Sequence, residues 1–585
     1  MDNLYTKRVT TRKDGKAYTY IKLVQSYRQG GRVRQRLVAN LGREDELKAS
    51  GQLEQLAAAF ARLDPPLLGV RREVGPLLLV RHYLERLGLA AIVERALPSH
   101  GRAQLTTAEV VSALIANRLC APSPLYDIAG WASSSALQEV FGIPAMLLND
   151  DRLGRALEGF EPKAEEIRGA VALAAIERFG VDAGRLHLDL TALKVYGAHE
   201  DSSFVAQGWN AERRVEQQVR VLEATTPNGL PLYVRPEAGD AAELSCIGAA
   251  LERLAALLPP GLVVCADSAL GHVKNLCAAE RAGLRFVVPL RASSGFREHY
   301  RTHVGASALE PLDYVSRRER RLPPAERTQY RGLLRPFPVS DPETMQERPF
   351  RVAYIWSSEE ERSVKEARER ALAAAETALG KVQRGLGGRY YKTPRQVEQR
   401  VARVVGPTVH SLITITIGQD SCGRPTLSFE RDPRAIAAAA ELDGVYALAT
   451  NLPSPISAGQ LLRLYKDQSL VELRHRDLKG SLRVRPIFLH KDERIRALVS
   501  IVGLALLIFG LIEVDLRRRL GDDDELRGLL PEGRAARPTG RNILAAFQGL
   551  SATYTRNGLA LDRLTATQRR ILHLLSVPLP WPERR

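Results

Sequence analysis

The chain has 585 residues, of which 45% are hydrophobic and 26% are charged. This composition excludes a disordered protein, and the length predicts roughly three to five globular domains. The 84 Lys and Arg residues exceed the 67 Asp and Glu residues, which gives a formal net charge of +17. The excess favours a polyanionic partner, with nucleic acid first and an acidic membrane surface second.

The cysteines indicate a reducing compartment. There are five of them, they are scattered, and they lack the paired spacing of a zinc site. The first residues are charged and contain no apolar signal segment, so we expect a cytoplasmic protein. The most apolar run, residues 497–512, is shorter than the ~18 residues of a membrane span and predicts a buried core helix.

Residues 1–60 are predicted to form a basic β-ribbon arm. Between Met1 and Arg43 there are eleven Lys and Arg residues and two Asp residues, and tyrosines lie between the cations. Alternation with period two predicts two strands around Gly30 and Gly31. A ribbon of this kind fits a groove or the backbone of DNA, and a solvated basic hairpin is the alternative.

Residues 61–180 carry helical periodicity and predict a helical domain. One helix begins at a capping box formed by Thr106 and Glu109. Such a domain could bind DNA, hold two protomers together, or only pack, and the residue pattern does not separate these roles.

Residues 181–290 are predicted to form the first part of an α/β core. The stretch RLHLDLTALKVYG alternates as a strand with Asp189 on its polar face, and Asp267 directly follows the short apolar strand GLVVCA. The order of a strand, a hairpin, and alternating helices and strands predicts a mixed sheet of about five strands covered by helices.

The remaining segments complete this organisation. Residues 291–443 interrupt the core as an insertion domain, and residues 444–514 form its second part with a strand and two helices. Residues 515–585 form a C-terminal tail that starts basic and contains one further helix.

One helix of the second part carries a carboxylate among cations. Ser457 and Gln460 form a capping box at its start, and Gly480 is a natural end. At 3.6 residues per turn, one stripe contains Tyr465, Gln468, Glu472, His475, Arg476 and Lys479. The alternative is an ordinary surface helix stabilised by ion pairs between successive turns.

Asp189, Asp267 and Glu472 together predict a cation site. Two carboxylates ~4 Å apart repel each other by about 4 kcal/mol at an effective dielectric of 20, so a cluster of three would be unstable or partly protonated without a metal. Oxygen ligands select Mg²⁺ or Mn²⁺, and two such ions can activate a water or a 3′ hydroxyl for attack on a phosphodiester. Lys479, two turns after Glu472, could hold a phosphate beside them.

Each acid also has a structural alternative. Asp267 could cap the following helix, and Asp189 could be an exposed strand acid. Acids near the same sheet compete with them, although they fall in predicted loops or helix starts: Glu200, Asp201, Asp240 and Glu243.

In this order and spacing, the motifs resemble those of the DDE transposases of bacterial insertion sequences, whose core has the ribonuclease H-like fold. The three acids lie in LHLDLT, VVCADSALGH and YKDQSLVELRHRDLK. The third segment is similar to the branch with a Tyr-x2-Arg-x3-Glu-x6-Lys signature and a large insertion before it. The N-terminal YTKRVTTRKDGKAYTYIKLVQSYR also resembles the opening of such proteins.

The resemblance implies that Asp189, Asp267 and Glu472 bind two Mg²⁺ or Mn²⁺ ions. It further implies a homodimer that pairs two element ends, in a bacterial cytoplasm and associated with the nucleoid.

The resemblance also implies that the signature residues Tyr465 and Lys479 contact DNA near the cleaved end. Gln468 departs from the signature, which has Arg there, because an amide can bond to a phosphate but supplies no charge. Lys466 or Arg476 could replace the missing cation.

The expected function is therefore a metal-dependent transposase, which cuts at the ends of its element and joins the 3′ hydroxyl to target DNA. Two alternatives stay open: a nuclease that cuts without joining, and an inactive DNA-binding protein derived from a transposase, which Gln468 favours. A membrane-associated protein is a third, and it rests on residues 497–512.

Overall fold

A computed structural model describes most of the chain and divides it into two compact units. The described residues are 3–13, 16–29, 32–50, 69–99, 103–209, 214–258, 260–268, 270–290, 294–305, 308–316, 319–466, 469–482, 487–521 and 525–584. The first unit comprises Met1–Glu73, Leu550–Leu564 and Leu579–Arg585, and the second comprises Val74–Gly549 and Thr565–Pro578.

The first unit contains two small antiparallel sheets. One has the order β1 (Asn3–Lys13), β2 (Lys16–Gln29) and β3 (Arg32–Arg43), followed by the short helix α1 (Glu44–Ala49). The other has the order β18 (Gly558–Leu561), β17 (Ser551–Thr555) and β4 (Arg71–Glu73). The basic arm thus has three strands rather than the two predicted, because Asn3–Lys13 pairs along its whole length with β2. The predicted turn at Gly30 and Gly31 lies outside the described residues.

The second unit begins with helices. They are α2 (Leu77–Leu87), α3 (Leu89–Ala96), α4 (Thr107–Cys120), α5 (Ile128–Ser134), α6 (Leu137–Phe141), α7 (Asp150–Phe160) and α8 (Ala164–Phe179). The predicted capping box is present at the start of α4, where Thr106 Oγ1 accepts from Glu109 N at 3.1 Å and Glu109 Oε2 accepts from Thr106 N at 2.7 Å.

A large mixed sheet follows and confirms the α/β class. Its strands are β5 (Arg185–Lys194), β6 (Ala206–Trp209), β7 (Val215–Thr225), β8 (Pro231–Glu237), β9 (Val263–Ala266), β10 (Arg285–Pro289), β11 (Glu310–Leu312), β12 (Tyr330–Ser340), β13 (Glu347–Ser357) and β16 (Val445–Thr450). Their order is β11-β12-β13-β16-β10-β9-β5-β7-β6, and β8 also pairs with β7. Strand β9 is parallel to β5 and β10, while β7 is antiparallel to β5 and β8.

The sheet has ten strands in the described part of the chain, not the five predicted. The difference arises because β11, β12 and β13, which lie within residues 291–443, continue the core sheet through the pairing of β13 with β16.

The second unit also contains helices that lie between or after these strands, and several of them pack on the sheet. They are α9 (Glu243–Leu257), α10 (Val273–Arg281), α11 (Ser294–His303), α16 (Ala458–Lys466), α17 (Ser469–Lys479), α18 (Asp492–Leu520), α19 (Gly540–Ala545) and α20 (Ala566–Leu574). The helix α18 packs against β8 and against α4 and α7. By length and composition it could cross a membrane, yet its most apolar stretch is buried throughout within the fold, as the predicted core helix requires.

Between β13 and β16 the chain forms a subdomain with its own core. It contains α12 (Ser358–Arg384), α13 (Pro394–Val404), α14 (Pro407–His410), the hairpin of β14 (Ile413–Gln419) and β15 (Pro425–Arg431), and α15 (Pro433–Ala440). Leu379, Val397 and Val401 are among the side chains buried together there.

Candidate active site

The sheet brings two of the predicted acids to neighbouring positions. Asp189 lies in the middle of β5, and Asp267 is the first residue after β9. The two strands are parallel, and Leu188 is in register with Ala266. Asp189 and Asp267 each directly follow one residue of this pair, so they lie side by side although 77 residues lie between them in the chain.

The third acid comes from a helix that packs on the same strand. Glu472 is exposed in the first turn of α17, which contacts β5, β7 and α18. Burial, opposed by the hydrogen bond from Leu190 N–H and assisted by the carboxylates of Asp267 and Glu472, raises the pKa of Asp189 to about 7. All three acids thus share one electrostatic environment.

The donor chemistry of these acids fits Mg²⁺ or Mn²⁺. The three groups are carboxylates, which are hard oxygen ligands, and their repulsion at Asp189 is the kind that a cation relieves. In the described residues, no group of three or more His, Cys, Asp or Glu side chains is arranged so that it could hold a metal ion. The acids are therefore neighbours, but they do not form a closed set of ligands.

A buried histidine connects Asp189 to a second buried acid. His475 Nδ1 lies 3.3 Å from Asp189 Oδ2, and His475 Nε2 lies 3.5 Å from Glu223 Oε2. The other oxygen of Asp189, Oδ1, accepts from Leu190 N at 2.8 Å. Burial, followed by the charge of Lys479, lowers the pKa of His475 to about 3, so its ring is neutral and carries one proton. Oδ1 of Asp189 thus faces the Leu190 N–H, and Oδ2 faces a ring nitrogen of His475.

Glu223 is the acid at the far side of this histidine. It is fully buried, burial raises its pKa to about 8, and its Oε1 accepts from Thr225 Oγ1 at 2.9 Å. Within the described chain, Glu223 Oε2 and His475 Nε2 have no hydrogen-bond partner. A neutral Glu223 beside Nε2 is compatible with a ring proton on Nδ1, the nitrogen that lies towards Asp189. Sequence reasoning missed Glu223, although an acid inside the apolar run VRVLEATTP is an unusual feature.

Arg474 belongs to the packing of the helix and not to its solvent side. Its side chain is 1% exposed and donates to Gly229 O, to Asp477 Oδ2 at 3.1 Å and to Glu513 Oε2 at 3.1 Å. These contacts join α17 to the turn between β7 and β8 and to α18. The positive charge near Glu472 in the sequence therefore has a partly structural cause.

The residues predicted to bind DNA lie around the acids in different ways. Lys479 Nζ donates to Thr191 Oγ1 at 2.6 Å. Thr191 follows Asp189 by two residues and lies on the same face of β5. Burial, followed by the carboxylates of Asp267 and Glu472, raises the pKa of Tyr465, so its ring lies near both. Arg476 is exposed. Gln468 lies outside the described residues.

The structural alternatives for the acids are not realised. The residue at the N-cap of α10 is His272, so Asp267 does not cap that helix, and the N-cap of α9 is Ala242 and not Asp240. The side chain of Asp189 is 22% exposed, which excludes an ordinary surface acid. Of the competing acids, Glu243 also raises the pKa of Asp189, while Glu200 and Asp201 are exposed.

Comparison with known proteins gives three family matches. Residues 6–66 match the N-terminal domain of the IS1634 family transposases, residues 71–166 match a domain of unknown function (DUF4277), and residues 183–508 match the transposase DDE domain. The last match covers more than half of the chain. No curated protein matches.

Among solved structures, the chain is similar to a piggyBac transposase in a synaptic complex with hairpin DNA, determined by cryo-EM. The sequence identity is 10%, the TM-score is 0.35, and the alignment covers 87% of each chain.

Proposed function

This chain belongs to the transposases with a DDE domain, and from that premise we propose that it cuts phosphodiester bonds at the ends of its own element and joins the freed 3′ hydroxyl to target DNA. The observation that carries the proposal is the shared electrostatic environment of Asp189, Asp267 and Glu472, which come from two adjacent parallel strands and one helix. Acids scattered over the surface would not act on the pKa of Asp189 in this way.

The proposed catalytic core is ribonuclease H-like. Its support is the strand order β8-β7-β5-β9-β10 within the larger sheet, with β7 antiparallel to both of its neighbours and β9 parallel to both of its own. This core puts Asp189 on the central strand and Asp267 at the carboxyl end of the next one, where open α/β sheets bind ligands.

Asp189, Asp267 and Glu472 would hold two Mg²⁺ or Mn²⁺ ions, which would activate a water or a 3′ hydroxyl and stabilise the leaving oxygen. The chain contributes the orientation of these acids. Leu190 N–H donates to Oδ1 of Asp189, and the neutral ring of His475 lies against Oδ2. The side chains around a ligand usually determine its orientation in this manner.

Binding of the substrate is proposed for the cations and the tyrosine beside the acids. Lys479 and the exposed Arg476 carry charges that can contact phosphates, and the Tyr465 hydroxyl can donate to one. Lys479 is bonded to Thr191 close to Asp189, so a phosphate held there would lie next to the reacting bond. The partners are then double-stranded element ends and target DNA, bound by a homodimer in a bacterial cytoplasm.

The test is incubation of the full chain with Mg²⁺ and labelled DNA that carries the ends of its element. Wild type should nick this DNA, while Asp189→Asn and Glu472→Gln should bind it without nicking. If Asp189→Asn leaves every activity of the wild type unchanged, the chain is a non-catalytic DNA-binding protein and the proposal fails.

A second assay separates a transposase from a nuclease. End DNA that is already cleaved and carries a free 3′ hydroxyl is offered with a supercoiled target plasmid. Joined products support the proposal, and nicking of intact ends without any joining overturns its strand-transfer part.

A further inference from the structure

The subdomain between β13 and β16 contains a strongly basic segment. Between residues 381 and 403 there are seven cations and one acid, Glu398, a surplus of 7 − 1 = 6. The cations are Lys381, Arg384, Arg389, Lys392, Arg395, Arg400 and Arg403, and all of them are exposed. The preceding part of α12, residues 358–380, has six acids and four bases. The positive charge of the subdomain is therefore concentrated in this segment of the chain.

These cations are not used for ion pairs within the subdomain. Its acids pair with other arginines: Asp443 with Arg368, Glu366 with Arg370, and both Glu369 and Glu376 with Arg431. Residues 381–403 are all described, and none of their seven cations forms an ion pair with any described residue. Uncompensated like charges repel each other, so a cluster of this kind is costly without an anionic partner.

The cations are held in a fixed arrangement. Val397 and Val401 fix one face of α13 in the core of the subdomain, against Leu379 and Val382 of α12. At 100° per residue, Arg395 and Arg403 then lie on the opposite, solvent side together with Gln399, while Arg400 is exposed at the flank of the buried face. A capping box between Thr393 and Gln396 fixes the start of this helix.

The composition of this surface fits phosphates better than a lipid membrane. Five of the seven cations are arginines, whose planar guanidinium matches phosphate oxygens, and glutamines lie between them. Among the large hydrophobic side chains of residues 381–403, only Tyr390 is exposed, at 71%. The Arg389 guanidinium lies over its ring. A membrane-binding helix needs a broad apolar face, and α13 uses its valines for the core.

We propose that residues 381–403, here called the basic face, bind the phosphate backbone of double-stranded DNA independently of its sequence. This inference rests on the proposed function for the identity of the polyanion, and it assigns to the insertion a DNA contact separate from the acid cluster. Because the contact is to the backbone, it would add affinity for any duplex near the element end.

The test is the salt dependence of binding by the full chain. A labelled random-sequence duplex is titrated without divalent ions over a range of NaCl concentrations, with wild type and the triple variant Arg395→Gln, Arg400→Gln, Arg403→Gln. Each lost phosphate contact reduces the magnitude of the negative slope of log K against log salt by about 0.9. For the triple variant we therefore expect this magnitude to fall by up to about 2.7, and binding at low salt to be at least about tenfold weaker.

The matched control is the triple variant Arg362→Gln, Lys365→Gln, Arg370→Gln in the first part of α12. It removes the same net charge from exposed positions of the same subdomain, and its slope should equal that of wild type. Equal effects of the two variants, or no effect of the first, would overturn the proposal. Thermal unfolding checks that both variants fold.

Two further readouts separate the possible failures. Vesicles with and without phosphatidylserine test the membrane alternative, and loss of vesicle binding with an unchanged DNA slope overturns the proposal. Because binding is measured without metal and without element ends, the result does not depend on cleavage. If the slope changes as predicted but element ends are not nicked, only the proposed function is contradicted. If element ends are nicked but the slope does not change, only this inference is contradicted.

Discussion

His475 Nδ1 lies 3.3 Å from Asp189 Oδ2, so the helix that carries Glu472 touches the strand that carries Asp189 through one buried ring. His475 follows Glu472 by a single helical turn. The position of Glu472 relative to Asp189 therefore depends on this contact, and on Glu223 behind it.

Replacement of His475 should weaken metal-dependent nicking without loss of DNA binding. His475→Ala removes the donor to Asp189, and we expect about 10- to 100-fold lower activity or Mg²⁺ affinity, as for other side chains that orient a ligand. His475→Asn, whose amide nitrogen replaces Nδ1, should retain more activity than His475→Gln. The measurement is the nicking rate as a function of Mg²⁺ concentration, and equal losses for Asn and Gln would contradict the orienting role.

Glu223 should make the metal-free protein less stable at high pH. Burial raises its pKa from 4.5 to about 8 in the folded state, so its contribution to stability is complete below pH 4.5 and is lost as the pH rises through about 8. Glu223→Gln keeps an acceptor for Thr225 and cannot ionise. Between pH 5 and pH 9, wild type should lose on the order of 1 kcal/mol or more beyond the loss of the variant.

The measurement for Glu223 is the midpoint of thermal unfolding at both pH values in the presence of a chelator. Asp189 and other groups also titrate in this range, but they do so in both proteins and cancel in the comparison. A parallel decrease in wild type and Glu223→Gln would show that Glu223 does not carry the effect.

Arg474→Met should destabilise the protein by about 3 kcal/mol. The guanidinium lies between Asp477 and Glu513, and its removal leaves the buried Glu513 carboxylate with less compensation. The midpoint of thermal unfolding measures the effect, and Arg476→Met on the exposed side of the same helix should change stability by no more than about 0.5 kcal/mol. Similar losses in the two variants would rule out the buried ion pairs as the cause.

The charge of Lys479, and not its bond to Thr191, should determine DNA affinity. Lys479→Ala should lower the slope of log K against log salt by about 0.9 for element-end DNA, the effect of one phosphate contact. Thr191→Val removes the hydroxyl that accepts from Lys479 Nζ but keeps the ammonium, so its slope should match that of wild type. A reduced slope in Thr191→Val alone would assign the phosphate contact elsewhere.

Local patterns in the sequence were sufficient to predict where Asp189 and Asp267 lie. Period-two alternation fixes the face of β5 that carries Asp189, and the end of a short apolar strand fixes Asp267. The start of α16 is also predicted correctly, because Ser457 and Gln460 form the expected capping box. Each of these features depends on residues within a few positions of one another. The single helix predicted from there to Gly480 corresponds to two described helices, α16 and α17, and residues 467–468 between them lie outside the described residues.

Features that depend on distant contacts were not predictable. Helical spacing puts His475 beside exposed polar residues, and only the packing of α17 on β5 and β7 buries it. Arg474 is one of the cations close to Glu472 in the sequence, and only the packing of α18 supplies its acid, Glu513. The size of the sheet was underestimated for the same reason, since β13 pairs with a strand about ninety residues later.

The subdomain between β13 and β16 leaves and re-enters the sheet at one point. Ser357 N donates to Gly444 O at 3.0 Å, and the two flanking strands are already paired at Trp356 and Val445. A short turn could therefore bridge the gap between Ser357 and Gly444. Gain or loss of residues 358–443 would then leave the pairing of the two flanking strands, and the positions of Asp189 and Asp267, in place.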